Sequence, residues 1–347
     1  MEVVMLKKIC ILLIPCMVFA GCSKGTSTRQ DEIILTLGAY TVPREVYEKV
    51  LIPEFTELWL KKTGQTVKFH ESYIASGAQS RAIEQGFEAD IASLSLEKDM
   101  DRLKDAGLIL HDWKSGVTQG FVTRSVVAIA FRSGNPKNIS DWEDLTKEGV
   151  NVLYPSPKTS GGAMWDVAAI YGAGLRMSED RTGLADPDFA KNLLKSIQKN
   201  VRVMDKSGRA SVTTFENGIG DALVTYENEI LLRRLQGRDL PYVIPEATIL
   251  IENPIAVIDA HVDKHGTREV AQAFVEYLLT DVAQRAFARY GFRPVIETVA
   301  EEFKDQYPRP RLLFDIQYLG GWDRVHQTIF GPAGVWTVVM DEVGREF

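Results

Sequence analysis

Two spacings of apolar residues alternate along most of the chain. Ile33–Tyr40 (IILTLGAY), Val67–Tyr73, Asp90–Leu96, Arg124–Phe131, Val150–Tyr154, Val201–Met204 and Ala222–Tyr226 are short β-rich runs and predict strands. Ile249–Asp259 is equally apolar but is expected to break at Pro254. Between these runs apolar residues recur at three- and four-residue steps. Val46, Tyr47, Val50, Leu51, Phe55 and Leu58 predict a helix over Arg44–Leu60. Ser80–Phe87, Lys98–Ala106 and Thr267–Tyr290 are also read as helical, the last with a second helix after Asp281, and Trp142–Leu145 as a short helical turn. Strands alternating with helices predict an α/β protein of mostly parallel sheets flanked by helices. No period marks a repeat architecture.

The first residues follow another pattern. Lys7 and Lys8 precede an apolar run, Ile9–Ala20, of about a dozen residues, short of the roughly 20 that span a bilayer. This predicts an export signal over residues 1–21. Its end, Phe19-Ala20-Gly21-Cys22, resembles the site at which bacterial lipoproteins are cut and acylated, which makes Cys22 the expected anchor and polar residues 22–31 a tether. The alternatives are an ordinary leader cut near Ala20 or a short membrane anchor. Cysteine usage fits export with lipidation: Cys10, Cys16 and Cys22 are the only cysteines, so the body has neither disulfide nor cysteine-based metal site.

A chain of 347 residues with 45% hydrophobic residues has room for about two cores. The formal charge of −7 gives no field that would gather nucleic acid. Cleaving the leader, which carries Glu2, Lys7 and Lys8, makes the remainder more acidic by one charge. An anion ligand would therefore have to be held by local donors.

Four strand-to-helix junctions supply such donors: Ala39–Arg44 around Thr41, Ser76–Ser80, Ser160–Ala163 and Ser207–Ser211. Each joins small or hydroxyl residues to a helix start, where backbone N–H groups lack intrahelical acceptors and the helix dipole is positive. Several such ends meeting in one cleft would bind an anion without formal charge. Taken singly, each junction is more often only a helix cap.

The stretch Pro155-Ser156-Pro157-Lys158-Thr159-Ser160-Gly161-Gly162-Ala163-Met164-Trp165 resembles the PxPKxSGGARW signature of the periplasmic sulfate-binding proteins of ABC importers. Phe87–Ile91 (FEADI), Ser133–Lys137 (SGNPK) with Asp141-Trp142, Gly218–Asp221 (GIGD), Tyr226–Glu229 (YENE) and Gly320–Trp322 (GGW) match that family in order, over nearly the whole exported chain. The resemblance implies a hinged, two-lobed periplasmic-binding-protein fold, with lobe I in residues 32–122 and 257–347 and lobe II in 123–256. The chain would cross between lobes at the long strand before Phe131 and near Asn253-Pro254. It also implies capture of sulfate, or a similar tetrahedral oxyanion such as thiosulfate, for delivery to an ABC permease with its ATPase. Together with the anchor read at Cys22, this gives an expected lipid-anchored monomer in the periplasm or on the outer face of the cell membrane, without cofactor or metal.

Carried over by position, the resemblance assigns anion binding to Thr41, Ser76, Ser160, Gly161, Gly162, Gly208 and Tyr226. Thr41, Gly161, Gly162 and Gly208 would donate through backbone N–H, and Ser160 through its hydroxyl. Tyr226 stands where the family commonly has tryptophan, Ala78 replaces a usual lysine, and Arg81 replaces an uncharged residue. Molybdate, tungstate and phosphate therefore stay open as ligands. Sulfate only accepts hydrogen bonds, so an all-donor site suits it; phosphate near neutrality keeps a proton and calls for an acceptor. Asp166 and Asp205 are the nearest candidate acceptors, expected instead to cap helices or pair with Arg209. Trp142 and Trp165 are read as packing residues of the second lobe. A serine hydrolase would use Ser76 or Ser160 with one of His70, His111, His261, His265 or His326, but neither serine sits in a G-x-S-x-G elbow.

Overall fold

The structure is a computed structural model and describes residues 32–345. The expected leader, Cys22 and the tether lie outside the described residues.

Strands β1 (Ile33–Tyr40), β2 (Val67–Ile74) and β3 (Ile91–Ser93) form a parallel sheet in the order β2-β1-β3. After the eleven-residue β4 (Phe121–Phe131) come β5 (Val152–Leu153), β6 (Val201–Val203) and β7 (Ala222–Tyr226), parallel in the order β7-β5-β6. The chain continues through β8 (Tyr242–Val243), the eleven-residue β9 (Ala247–Val257) and β10 (Leu312–Phe314). β4 and β9 run antiparallel to each other through Phe121–Val126 and Leu250–Pro254. The far end of β4 pairs with β7 and that of β9 with β3, so two long strands connect two parallel sheets. This is a two-lobed fold.

Sequence pattern explains most of these elements. β1 buries Leu35 and Leu37, and Tyr47, Leu51 and Phe55 of the helical segment after it pack into the same core. That core is rich in edge-on aromatic contacts, such as Phe55 on Phe274 at 5.0 Å between ring centres. The helix Gly161–Thr182 is apolar on more than one face and carries Trp165, Val167, Ala169 and Ile170 into the interior. Its Gly172 and Gly174 lie where a Cβ would strike the Phe314 ring and the Ala190 backbone, so close helix packing requires glycine there.

Two expectations are corrected. Pro254 does not break the last apolar run, because β9 passes through it. It sits opposite Phe121 at a register shift, where its missing N–H costs no ladder bond, while its carbonyl accepts from Leu94. The helix read as starting at Ser80 begins at Ser76. Its first turn is fixed from outside: Ser76 Oγ donates to Asp99 Oδ2 at 2.5 Å and Ser80 Oγ to the Asp99 carbonyl at 2.7 Å. The helices Pro187–Lys199, Glu227–Leu235 and Val335–Arg345 have no counterpart among the expected elements.

Candidate functional site

A small cavity lies at the carboxyl ends of the parallel strands. β1 contributes Tyr40, Thr41 and Val42, β2 leads into Ala75 and Ser76, and β3 leads to Ser95. From the other sheet come Pro155, Ser160 and Gly162 after β5, Ser207 and Gly208 after β6, and Thr225 and Tyr226 of β7. Six strand ends thus converge on one point, the usual place for a ligand in an open α/β sheet. The free volume is about 20 Å³, in a measure where one water needs about 10–15 Å³. It suits a group a few atoms across and excludes anything the size of a nucleotide.

Helix starts build most of the wall. Ser160 caps the Gly161–Thr182 helix by accepting from Ala163 N–H, and Ser207 caps Gly208–Glu216 by accepting from Ala210 N–H. Ser76 is the first residue of its helix, and Tyr226 stands at the cap of Glu227–Leu235. First-turn N–H groups lack intrahelical acceptors, so these ends bring unpaired donors and positive dipole ends to the cavity. No lysine or arginine lines it.

Of the residues assigned from sequence, Thr41, Ser76, Ser160, Gly162, Gly208 and Tyr226 meet on this wall. Gly161 is not part of it: a Cβ there would meet Leu96 and Ser95, so Gly161 marks where the two lobes touch. Gly162 is narrowly placed, with a Cβ position 3.3 Å from Ser160 Oγ and 3.6 Å from the Tyr226 ring. At Gly208 the same position is open, so its glycine is not required by space. Thr41 makes no cap bond, and Pro43 occupies the cap before Arg44.

Ser95, which no local sequence signal marks, ties the wall together. Its N–H donates to Ser76 Oγ at 2.9 Å, its hydroxyl bonds the Tyr226 hydroxyl at 2.9 Å, and its carbonyl accepts from Trp165 Nε1 and Asn253 Nδ2. Trp165 therefore does more than pack its own lobe; its indole N–H reaches across to the first sheet. Trp142 is buried as expected and donates to the Ala247 carbonyl. Behind Ser76, Asp99 is fully buried, and burial pushes its carboxyl up to about 6 against the pull of Ser76 and two arginines. Burial also raises the Tyr226 phenol, so the hydroxyl stays protonated and able to donate.

Two carboxyl groups line the cavity. Glu229 is fully buried and compensated: Arg209 Nε lies 3.1 and 3.0 Å from its two oxygens, and Arg233 stands 3.7 Å away. Arg209 also donates to Glu45 and to the Val42 carbonyl. The expected pairing of Arg209 with Asp166 or Asp205 is thus corrected, because the two glutamates take its donors. Asp205 accepts from Thr214 Oγ1 at 2.9 Å and does not line the cavity. Asp166 lines the cavity, caps no helix, and leaves its buried Oδ1 without a partner.

Two α/β lobes joined by paired strands, with a small donor-walled cavity where their strand ends meet, define an extracytoplasmic type of solute-binding protein. Residues 35–293 match the family described as bacterial extracellular solute-binding protein, and the chain belongs to it. It is 41% identical to a sulfate-binding protein of Synechococcus elongatus over 323 residues, 92% of this chain and 90% of the relative. It is 32% identical to a thiosulfate-binding protein of Escherichia coli K12, over 96% of this chain and 97% of that one. Among solved structures, the sulfate-binding protein SubI from Mycobacterium tuberculosis H37Rv is 36% identical and superposes with a TM-score of 0.78, covering 86% of this chain and 99% of that one.

Proposed function

We propose that the protein captures sulfate, or thiosulfate, outside the cytoplasm and delivers it to an ABC permease driven by its ATPase. One observation carries this reading: six strand ends and the helix starts after them converge on a cavity that fits only a compact group and contains no cation. Binding is assigned to Thr41, Ser76, Ser160, Gly162, Gly208 and Tyr226, and Gly161, which lies off the wall, is left out. Ser160 would give its hydroxyl proton to the anion while its lone pair caps the helix. Lobe I is assigned residues 32–122 and 257–347 and lobe II residues 123–256, with β4 and β9 as the hinge strands; the segment from β10 to the Val335–Arg345 helix departs from this division, since Phe314 packs at Gly172 and Glu342 pairs with Lys191 of lobe II.

The protein is read as a binder and not an enzyme. Ser76 donates to Asp99 and Ser160 accepts from Ala163 N–H, and among the described residues neither hydroxyl is bonded to a histidine that would serve as base.

The test is a calorimetric and thermal-shift panel of sulfate, thiosulfate, molybdate, tungstate and phosphate on the exported chain. Sulfate or thiosulfate is expected to raise Tm as ligand exceeds Kd. Ser160→Ala is expected to weaken sulfate binding by about tenfold or more, the loss of one hydrogen bond to a charged group. A response to phosphate without one to sulfate sinks the ligand assignment, and unchanged affinity in Ser160→Ala removes that residue from the site.

Location is proposed from the sequence: residues 1–21 are cleaved and lipidated Cys22 anchors a monomer to the membrane. Cys22→Ser is expected to move the protein from the membrane fraction to the soluble fraction. Retention of that variant on the membrane would exclude Cys22 as the anchor.

A further inference from the structure

Asp166 is out of keeping with a site built to hold an anion. It lies in the second turn of the Gly161–Thr182 helix, on the cavity wall, 1% exposed, with its Oδ1 unpartnered. A carboxylate there would face the ligand in a cavity that Glu229 also lines. The groups around it do not supply a cation. Two phenols, Tyr226 and Tyr154, interact with it electrostatically, and Tyr40 lines the same cavity. Tyr226 bonds Ser95, Tyr154 donates to Gln198, and Tyr40 is buried with an unpartnered hydroxyl.

Several charged groups of the elements packed on this helix pair with other residues. Arg124 of β4 pairs with Glu252 of β9, and Lys191 of the Pro187–Lys199 helix pairs with Glu342, as does Lys195. Glu84 of the Ser76–Glu84 helix pairs with Arg102, and Arg81 lines a separate outer groove with Asp99. Arg209 of the Gly208–Glu216 helix and Arg233 of the Glu227–Leu235 helix are taken by Glu229, Glu45 and Glu216.

We propose that Asp166 is held as the neutral carboxylic acid and donates its proton in a hydrogen bond to the bound oxyanion, so that the site binds the fully deprotonated dianion only while Asp166 keeps its proton. The inference rests on the sulfate reading above and adds to it a residue that selects among anions. A neutral acid completes an all-donor wall; an ionised one would repel sulfate and accept from a protonated oxyanion such as hydrogen phosphate. Burial acts in the same direction, pushing this carboxyl well above its ordinary range.

The expected signature is an affinity that falls with rising pH. Above the pKa of Asp166, each pH unit is expected to weaken sulfate binding by up to about tenfold, because binding must first restore the proton. Calorimetry of sulfate binding between pH about 6 and about 10 would show this, with up to about one proton taken up at the alkaline end. In Asp166→Asn, whose amide still donates, the pH dependence is expected to disappear. In Asp166→Ala, binding is expected to weaken by about tenfold at neutral pH.

Infrared difference spectra of the free wild-type protein against Asp166→Asn supply an arm that needs no ligand. They are expected to show the C=O stretch of a protonated carboxylic acid at neutral pH. Absence of that band overturns the proposal, as does wild-type affinity in Asp166→Ala. Hydrogen phosphate binding that Asp166→Asn abolishes would make Asp166 an acceptor and overturn it too. If wild type binds no sulfate at any pH, the sulfate reading fails, and the infrared band alone decides the state of Asp166.

Discussion

Replacing Arg209 by glutamine is expected to weaken sulfate binding by about a hundredfold. Arg209 follows Gly208 on the cavity wall, and its guanidinium joins segments far apart in the chain. Nε contacts Glu229 at 3.0 Å, Nη1 and Nη2 hold the two Glu45 oxygens at 2.5 and 2.9 Å, and Nη2 also reaches the Val42 carbonyl at 3.3 Å. Glu45 and Val42 follow β1, whereas Arg209 and Glu229 follow β6 and β7, so this group fastens one side of the cavity to the other. Burial pulls the Arg209 pKa down, but Glu229 and Glu45 outweigh it and keep the charge in place. Without the guanidinium, two partly or fully buried carboxylates confront each other beside the anion. Removing one partner of a buried pair typically costs about 3–5 kcal/mol. The Arg209 side chain is 22% exposed, so the lower end applies, about 3 kcal/mol or two decades in affinity.

Calorimetry with sulfate checks the affinity, and melting with and without sulfate checks where the loss falls. If Arg209 holds the lobes together, the ligand-bound melting temperature drops more than that of the free protein. Adding Glu45→Gln should return part of the affinity, since it removes a charge left without a partner. An affinity within about threefold of wild type would show that the link contributes little to binding.

How much of this site could be read from sequence depends on how each residue reaches the cavity. Thr41, Ser76, Ser160 and Gly208 stand at strand-to-helix junctions, where the local exchange of apolar for small residues marks a turn, and they are visible in one dimension. Ser95 is two residues past β3 within an apolar stretch, Thr225 is inside a strand, and Asp166 and Glu229 sit within helices. None of those positions has a local turn signal, and only the packing of two lobes brings them to one wall. The same distinction explains the helix at Ser76–Glu84. Local pattern places its start four residues late, because its first turn is held by Asp99, which comes 23 residues after Ser76. Pro254 shows the opposite limit. Proline reads as a break in one dimension, because the unpaired side of β9 at that residue cannot be seen without the partner strand. The sequence offers Asp166 and Asp205 as partners for Arg209, whereas its guanidinium reaches Glu229 and Glu45, 20 and 164 residues away, which only the packing brings near.

The Arg293–Glu227 pair should have the largest effect on stability. Glu227 follows Tyr226, has a fully buried side chain, and receives Arg293 Nε at 2.7 Å and Nη2 at 3.1 Å. Arg293 is itself fixed by mutual backbone hydrogen bonds with Arg124 of β4 and by donation to the carbonyls of Tyr307 and Pro308. This holds the start of the Glu227–Leu235 helix, and with it Tyr226, against β4. Arg293→Met keeps the length of the side chain but strands a carboxylate in the interior, which is expected to cost about 3–5 kcal/mol. For a chain of this size that lowers Tm by about 10 °C.

The deficit should depend on pH in a definite direction. Burial already raises the Glu227 carboxyl, with Arg293 opposing it, and removal of Arg293 raises it further. The folded variant then keeps a proton that the unfolded chain releases near pH 4.3, so its stability falls as pH rises from there to the folded pKa. Melting curves against pH should therefore show Arg293→Met closest to wild type in acid and furthest from it near neutrality. Adding Glu227→Gln should flatten that slope and recover part of the loss. A deficit that is the same at every pH would place the damage in lost packing of the Arg293 stem, and the charge on Glu227 would not be its cause.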